Sequence, residues 1–433
     1  MEPIYIGLIG LLIFLIVIFL GIPLPIAFLT VGVGGIVTLR GVNAALGVVK
    51  IFPFHNTAEF GLAVLPLFIM MGLIFSECGV GEEIFASIKY WLGHFPGGLA
   101  AATTAACAAI GTTTGSAAAA TVLMGKVAYP EMRRFGYDKG LSVGVIASAG
   151  TIAMMIPPSL MVVVYAILAE QSVGKLLIAG FIPGVVSAAM YIGMIVIRVK
   201  LNPALGPVSE PASWKLRFSS LKYLLPVLIM FLVILGGIYF GVFTPTEAGG
   251  IGVVTAFIIV IVSKRLNWTR LKLIILDTCR MTVLVMILLL GISFMTQFLT
   301  FSEVTFAFAD LALKFPSPLM TLFLMFVIYI VLGMFISGTG MVMISVPIFV
   351  PVILSLGYDP IWFGILVIKM CEVAAITPPV CIGVYIAQGV IKEVSIETAI
   401  KGTLWFLAMD FITLCLFIIF PEIITVLPNL MAG

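Results

Sequence analysis

Two short runs hold the residue types that could do chemistry in this chain: Thr112-Thr113-Thr114-Gly115-Ser116 and Ser337-Gly338-Thr339-Gly340. Each is followed by a segment broken at a proline pair. The first such segment runs from Thr151 to Ser159 through Pro157-Pro158, and the second from Ala374 to Val380, with Thr377 just before Pro378-Pro379. A helix interrupted in this way exposes carbonyl groups at one broken end and amide groups at the other. Amide ends attract anions, whereas carbonyl ends suit a small hard cation such as Na+. Pro378 removes a donor and frees a carbonyl one turn back. Carboxylates are almost absent from these runs, so neutral oxygen ligands favour Na+ over a proton relay, which would want Asp, Glu or His at the site. Glycine and threonine also permit tight helix packing in lipid. One such run alone would be read as packing; two related by a repeat point to binding.

The repeat is explicit. Pro130, Gly136, Tyr137, Asp138, Pro157 and Pro158 recur 221 positions later as Pro351, Gly357, Tyr358, Asp359, Pro378 and Pro379, while Gly21 and Pro25 recur 220 positions later as Gly241 and Pro245. Two copies of one unit, each with a broken apolar segment, mark a secondary transporter.

Composition sets the solvent. With 62% hydrophobic and 9% charged residues, and a mean hydropathy of +1.29, the chain requires a bilayer, where backbone must be helical or enclosed by protein. A net charge of +3, with the basic residues in loops, does not imply nucleic acid. The six cysteines are scattered without metal or disulfide spacing and read as small apolar side chains. The start, Met-Glu-Pro-Ile-Tyr, lacks the basic region and cleavage site of a signal peptide and reads as a retained first membrane helix.

Apolar stretches run over about 4–21, 24–39, 60–78, 97–125, 140–168 and 176–196, then, after a polar connection at 197–222, over 223–241, 246–263, 274–297, 317–356, 361–386 and 402–428. The stretches 97–125 and 317–356 exceed one span of ~20 residues and break at the hydroxyl-glycine runs, so both are expected to re-enter on the side they came from. That places the segments 79–96, 126–139, 197–222, 264–273 and 387–401, with 16 Lys and Arg between them, on one face. The other face receives only Arg40, Lys50, Lys175 and Lys314. The positive-inside rule then puts the basic face in the cytoplasm and both termini outside. The expected fold is an all-α polytopic membrane protein with about ten membrane helices and two hairpins. It divides into a first repeat over 1–196, the cytoplasmic connection 197–222, and an upside-down second repeat over 223–433.

Before each hairpin an apolar stripe recurs: Ile84, Ile88, Trp91 and Phe95, then Val304, Phe308, Leu311 and Phe315, 220 positions on. This predicts helices lying in the membrane interface, with a core helix packed on protein as the alternative. Lys369 and Glu372, at i, i+3 within 361–386, can pair across one turn; their repeat positions are Ser148 and Thr151, so the pair is not duplicated. A structural ion pair and a role in coupling or substrate binding are equally compatible with it. Asp410 reads as capping a buried polar contact, and Glu247 as capping the helix after Thr244. His55 and His94 are assigned no role. No nucleophile elbow, phosphate loop, zinc spacing or paired-carboxylate motif stands in a usable context, so an enzyme is not expected.

Gly97-Gly98-Leu99-Ala100, Gly115-Ser116, Pro130-Glu131-Met132, Gly136-Tyr137-Asp138, Ile156-Pro157-Pro158-Ser159, Gly241 to Ala248, Gly357-Tyr358-Asp359-Pro360 and Thr377-Pro378-Pro379-Val380 together resemble the large membrane subunit of TRAP (tripartite ATP-independent periplasmic) transporters, over essentially the whole chain. The resemblance implies Na+-driven import of organic acids by an elevator-type fold in the bacterial or archaeal inner membrane. It also implies two partners, a small four-helix membrane subunit and a soluble periplasmic binding protein. The small subunit is expected as a separate chain, since no such extension precedes Met1. Carried over, one Na+ site comprises Thr114, Ser116, Ala153, Ile156 and Pro158, mostly through carbonyls, and a second Ser337, Gly338, Ala374, Thr377 and Val380. The organic anion is expected between the tips, at Gly115, Ser116, Thr151, Ser159, Thr339, Gly340 and Thr377. The chain departs from the family at Ala117, where a serine is frequent, at Ala153, where glycine is common, and near Gly338, where an aspartate often stands. A stand-alone dicarboxylate carrier and an ion channel are the alternatives.

Overall fold

The computed structural model describes residues 2–379 and 381–431, without the side chains of His55, Asn56, Thr113 and Thr114. Among the described residues the regular structure is entirely helical. The first part of the chain forms α1 (Pro3–Phe19), α2 (Leu24–Arg40), α3 (Val42–Thr57), α4 (Val64–Glu77), α5 (Val80–Leu92), α6 (Gly98–Thr114), α7 (Ala117–Arg134), α8 (Lys139–Thr151), α9 (Leu160–Leu168), α10 (Val173–Ala179) and α11 (Phe181–Leu201). The connection folds into α12 (Trp214–Ser220). There follow α13 (Leu225–Phe231), α14 (Gly237–Tyr239), α15 (Pro245–Val262), α16 (Trp268–Phe301), α17 (Val304–Leu313), α18 (Pro318–Gly333), α19 (Gly338–Ser355), α20 (Pro360–Ile376), α21 (Ile382–Ile391), α22 (Ile396–Ile419) and α23 (Glu422–Asn429). Six of the described spans are each long and apolar enough to cross a membrane. The chain is a multi-pass membrane protein.

Local sequence explains the breaks. Gly115 takes φ +57° and closes α6, and Ser116 then caps α7 by accepting from the Ala119 amide at 3.4 Å. Two residues suffice to reverse the chain, so α6 and α7 form a tight hairpin. Ser337 caps α19 in the same way, accepting from the Gly340 amide at 3.4 Å, so α18 and α19 form the second. Thr244 and Glu247 make a reciprocal capping box at the start of α15, as expected for Glu247. Gly21 and Gly241, and likewise Gly136 and Gly357, take positive φ at equivalent positions.

Helix pairing is swapped between the two parts. The hairpin helix α7 packs on α8 and on α21, and its counterpart α19 packs on α20 and on α9. Away from the hairpins, α2 packs along α16 and α4 along α15.

Three features differ from the expectation. Residues 42–57, expected as a connection, form α3, packed on α2 and α16; the single 34-residue α16 stands where α3 and α4 stand earlier. The left-handed residues that open α5 and α17 are Gly79 and Glu303, 224 positions apart, so the two helices correspond one turn away from the stripe alignment at 220. Finally, α5 packs on α6, α7 and α12, with Ile84 and Phe85 buried and Phe95 exposed, so it is covered by protein on more than one stripe.

Candidate functional site

The glycines decide how closely each hairpin approaches its broken helix. A Cβ on Gly111 in α6 would lie 2.8 Å from the Ala153 α-carbon, and one on Gly333 in α18 would lie 2.1 Å from the Ala374 Cβ. Both partners are expected site residues, and both contacts put the hairpin's first helix against the break. At the tip itself, a Cβ on Gly115 would come within 2.8 Å of the Pro158 carbonyl. Both proline pairs, Pro157-Pro158 and Pro378-Pro379, have cis peptide bonds.

Between the tips lies a cavity of about 240 Å³. Its walls include the first residues of four helices: Ala117 and Ala118 of α7, Leu160 and Met161 of α9, Gly338 and Thr339 of α19, and Ile382 and Gly383 of α21. The C-terminal ends of the preceding helices close it from the other direction, through Gly115, Thr151, Met154, Gly333, Ile336 and Ala375. Amide-rich ends and carbonyl-rich ends thus converge on one space. Among the described residues the lining carries no charged side chain; the hydroxyls of Ser116, Thr121, Thr151, Ser337 and Thr339 supply its polar groups. Four helix N-termini give such a site an anion preference without a buried cation.

The structure brings Gly115, Ser116, Thr151, Ser337, Gly338 and Thr339 together on the cavity wall. Other expected residues stand behind it. Ala153, Ile156, Ser159 and Ala374 are buried, as is Pro158. Ser159 donates to the Met154 carbonyl and accepts from the Val162 amide at 3.5 Å, capping α9. Gly340 faces Ile336 and Leu24. The carbonyl released by Pro378 belongs to Ala374, and the Thr377 amide donates to it at 3.2 Å. The Thr377 hydroxyl donates to the Val373 carbonyl at 2.6 Å. The Thr114 side chain and Val380 lie outside the described residues. Sequence reasoning missed Thr121, Met161, Ile382 and Ile386; Thr121, one turn beyond Ser116 on α7, was the one with a readable signal.

Among the described residues no group of three or more His, Cys, Asp or Glu could hold a metal ion. The available donors are hydroxyls and backbone carbonyls such as that of Pro158. This set fits a monovalent hard cation and not a divalent metal, which takes carboxylates or imidazoles.

Behind the cavity, Lys369 does pair with Glu372, Nζ to Oε2 at 2.8 Å. It also donates to Asp410 Oδ1 at 2.7 Å and to Ser187 Oγ at 3.1 Å. Asp410, expected to cap a polar contact, is instead a full member of this ion cluster, and Tyr191 donates to its Oδ1 at 2.7 Å.

Paired half-helix ends around a hydroxyl-lined cavity are the arrangement of a membrane solute transporter. Residues 11–423 match the family described as "Tripartite ATP-independent periplasmic transporter, DctM component", and the chain belongs to that family. It is 30% identical over 380 residues to the C4-dicarboxylate TRAP transporter large permease protein DctM of Pseudomonas aeruginosa, covering 87% of this chain and 88% of that one. It is 29% identical to the sialic acid TRAP transporter permease protein SiaT of Haemophilus influenzae, covering 98% of this chain and 68% of the relative. In fold it is similar to the crystal structure of the YdaH transporter of Alcanivorax borkumensis, with a TM-score of 0.60 at 15% identity, over 87% of this chain and 89% of that one.

Proposed function

We propose that this chain is the large transmembrane subunit of a Na+-coupled, binding-protein-dependent symporter that imports a small organic acid into the cytoplasm. The observation that carries the reading is the convergence of four helix N-termini on one uncharged cavity. A carboxylate entering there meets helix-end amides and hydroxyls, while an apolar wall from Met161, Val164 and Ile386 accepts the carbon skeleton. The carbonyl-bearing ends on the opposite sides, with Thr114, Ser116, Ala153, Ile156 and Pro158 in one half and Ser337, Gly338, Ala374, Thr377 and Val380 in the other, would hold Na+. Each cation then offsets the charge of the anion beside it and draws the tip onto its broken helix, which is the physical basis of coupling.

Movement follows the elevator scheme: hairpins α6–α7 and α18–α19 travel with the broken helices they pack on, against a scaffold that includes the pairs α2–α16 and α4–α15. A small four-helix subunit would join the scaffold, and a periplasmic binding protein would deliver the acid at the outer face of the inner membrane. The chain is read with both termini outside, from its basic loops. The carboxylate substrates named for the dicarboxylate and sialic acid relatives support the substrate class.

The test is uptake into proteoliposomes containing this chain, its small subunit and its binding protein. Ser116→Leu and Thr377→Leu should cut Na+-driven accumulation at least about tenfold, the equivalent of ~1.4 kcal/mol, with the melting temperature far less affected. Accumulation that proceeds equally without Na+ would defeat the reading. Accumulation without the binding protein would favour a stand-alone carrier.

A further inference from the structure

A second cavity, of about 210 Å³, opens far from the hairpin tips, at the ends of two adjacent helices. The chain leaves it along α13 and α14, reverses after Tyr239 and returns along α15. The first turn of α13 and the last turn of α15 therefore stand side by side at its wall, through Pro226 and Ile259. The start of α5 adds a third side through Val80 and Glu83. Helix α15 is long and apolar enough to cross a membrane, so its end at Val262 marks the level of the lipid headgroups. Trp268, exposed at the start of α16, fits that level, where tryptophan is enriched.

Three charged side chains line this cavity, Glu83, Lys222 and Arg265. Arg265 pairs with Glu83 and also donates to the Gly79 carbonyl at 3.3 Å, so both of these are engaged. Lys222 makes no ion pair among the described residues; its ammonium lies 4.9 Å from the centre of the Tyr223 ring. One positive charge is thus left uncompensated at the membrane surface. Tyr223 and Ser263 add hydroxyls to the same lining. Towards the membrane the surface turns apolar and exposed, with Leu225, Leu228 and Ile229 on α13 and Ile258, Ile261 and Val262 on or next to the last turn of α15.

We propose that this cavity binds the headgroup of an anionic phospholipid. Lys222 holds the phosphate, the Tyr223 and Ser263 hydroxyls donate to its oxygens, and the acyl chains lie along the exposed apolar faces of α13 and α15. A phosphodiester carries a single negative charge, which matches the single charge left over. A zwitterionic headgroup would bring a second cation, and the carboxylate in the lining is already paired with Arg265. Free phosphate shares the headgroup's chemistry but makes no use of the apolar faces, so the lipid is the better match. The bound lipid stands at the root of α5, which packs on both helices of the first hairpin. The inference needs neither the Na+ positions nor the substrate assigned above.

Native mass spectrometry of the full chain, with its small subunit where the two copurify, tests this by titration with lipids in detergent. One phosphatidylglycerol should bind more tightly than any further copy, and more tightly than phosphatidylethanolamine. Lys222→Gln should weaken that binding about tenfold, within the worth of one hydrogen bond to a charged group, while Lys222→Arg keeps it. Lys272→Gln, at an exposed lysine on α16 outside the lining, should leave it unaltered. Inorganic phosphate in excess should not displace the lipid; displacement would show that the cavity takes the free anion and would overturn the proposal. Equal binding of the two lipids, or equal losses in Lys222→Gln and Lys272→Gln, would overturn it too. A photoreactive phosphatidylglycerol in membranes holding the wild type reads the site without any variant, and its cross-links should map to 222–232 and 258–265. Cross-links confined to other segments, or to the small subunit lying over this face, would count against it. Transport is not measured in any of these steps, so this idea and the Na+-coupled reading fail separately.

Discussion

Gly115 is under two constraints at once. Its φ of +57° lies in the left-handed region, where a side chain costs ~1–2 kcal/mol, and its missing Cβ leaves room for the Pro158 carbonyl. Gly136 and Gly357 share the positive φ, at +78° and +76°, but a Cβ there meets nothing closer than 3.9 Å. Alanine at Gly115 should therefore lower the melting temperature more than alanine at Gly136, and reduce transport about tenfold or more where the Gly136 variant keeps it. Parallel melts and uptake assays of the two variants check this; equal transport losses would mean that the tip contact is irrelevant. The hydroxyls and glycines at this scale were legible in the sequence, because a polar run inside an apolar stretch advertises itself. Met161 and Ile382 were not, since an apolar residue facing a cavity is indistinguishable in sequence from one facing the core. The Asp410–Lys369 contact was likewise hidden: sequence spacing shows the i, i+3 partner Glu372 but not a residue 41 positions away on another helix.

Helices in lipid gain little from burying apolar surface against one another, so their association relies on close backbone approach. The pair α2–α16 shows this. A Cβ on Gly32 would lie 2.7 Å from the Met295 amide nitrogen, and one on Gly291 would lie 2.9 Å from the Pro25 carbonyl. Gly34, two residues along on the exposed side of α2, meets nothing within 4 Å. Gly32→Val should force the two helices apart and destabilise the protein by ~1–3 kcal/mol, the range for overpacking, whereas Gly34→Val should leave the melting curve of the detergent-solubilised chain nearly unchanged. A comparable loss at both positions would show that helix propensity, and not the contact, is being measured. Spans such as α2 and α15 were readable from apolar runs bounded by Gly and Pro. Helix α3 was not, because Lys50, Pro53, His55 and Asn56 dilute its apolar character and its helical state depends on α2 and α16. The one-turn shift between α5 and α17 was hidden for a related reason. A stripe with helical periodicity matches itself almost as well when displaced by four residues, so only the left-handed residues that open the helices fix the register.

At the scale of the whole molecule, the exchange of partners between the halves is what sets the cavity's character. Because α7 packs on α21 and α19 on α9, each hairpin leans on the second segment of the other half's broken helix. Four N-termini therefore face one another across a single space. In oppositely oriented repeats the tips meet where the helices that lead away from them are of equal length, and α7 and α19 both have 18 residues. Opposite orientation requires the far ends of α7 and α19 to emerge on opposite membrane faces. Arg134 and Ser355 end those helices, 221 positions apart, and both are exposed. With the two exposed native cysteines, Cys279 and Cys415, first replaced by serine, Arg134→Cys should react with a membrane-impermeant maleimide only after the membrane is opened. Ser355→Cys should react in intact spheroplasts. Labelling of both from the same compartment would show that the repeats are parallel, and neither the shared anion site nor the coupling drawn from it would then stand.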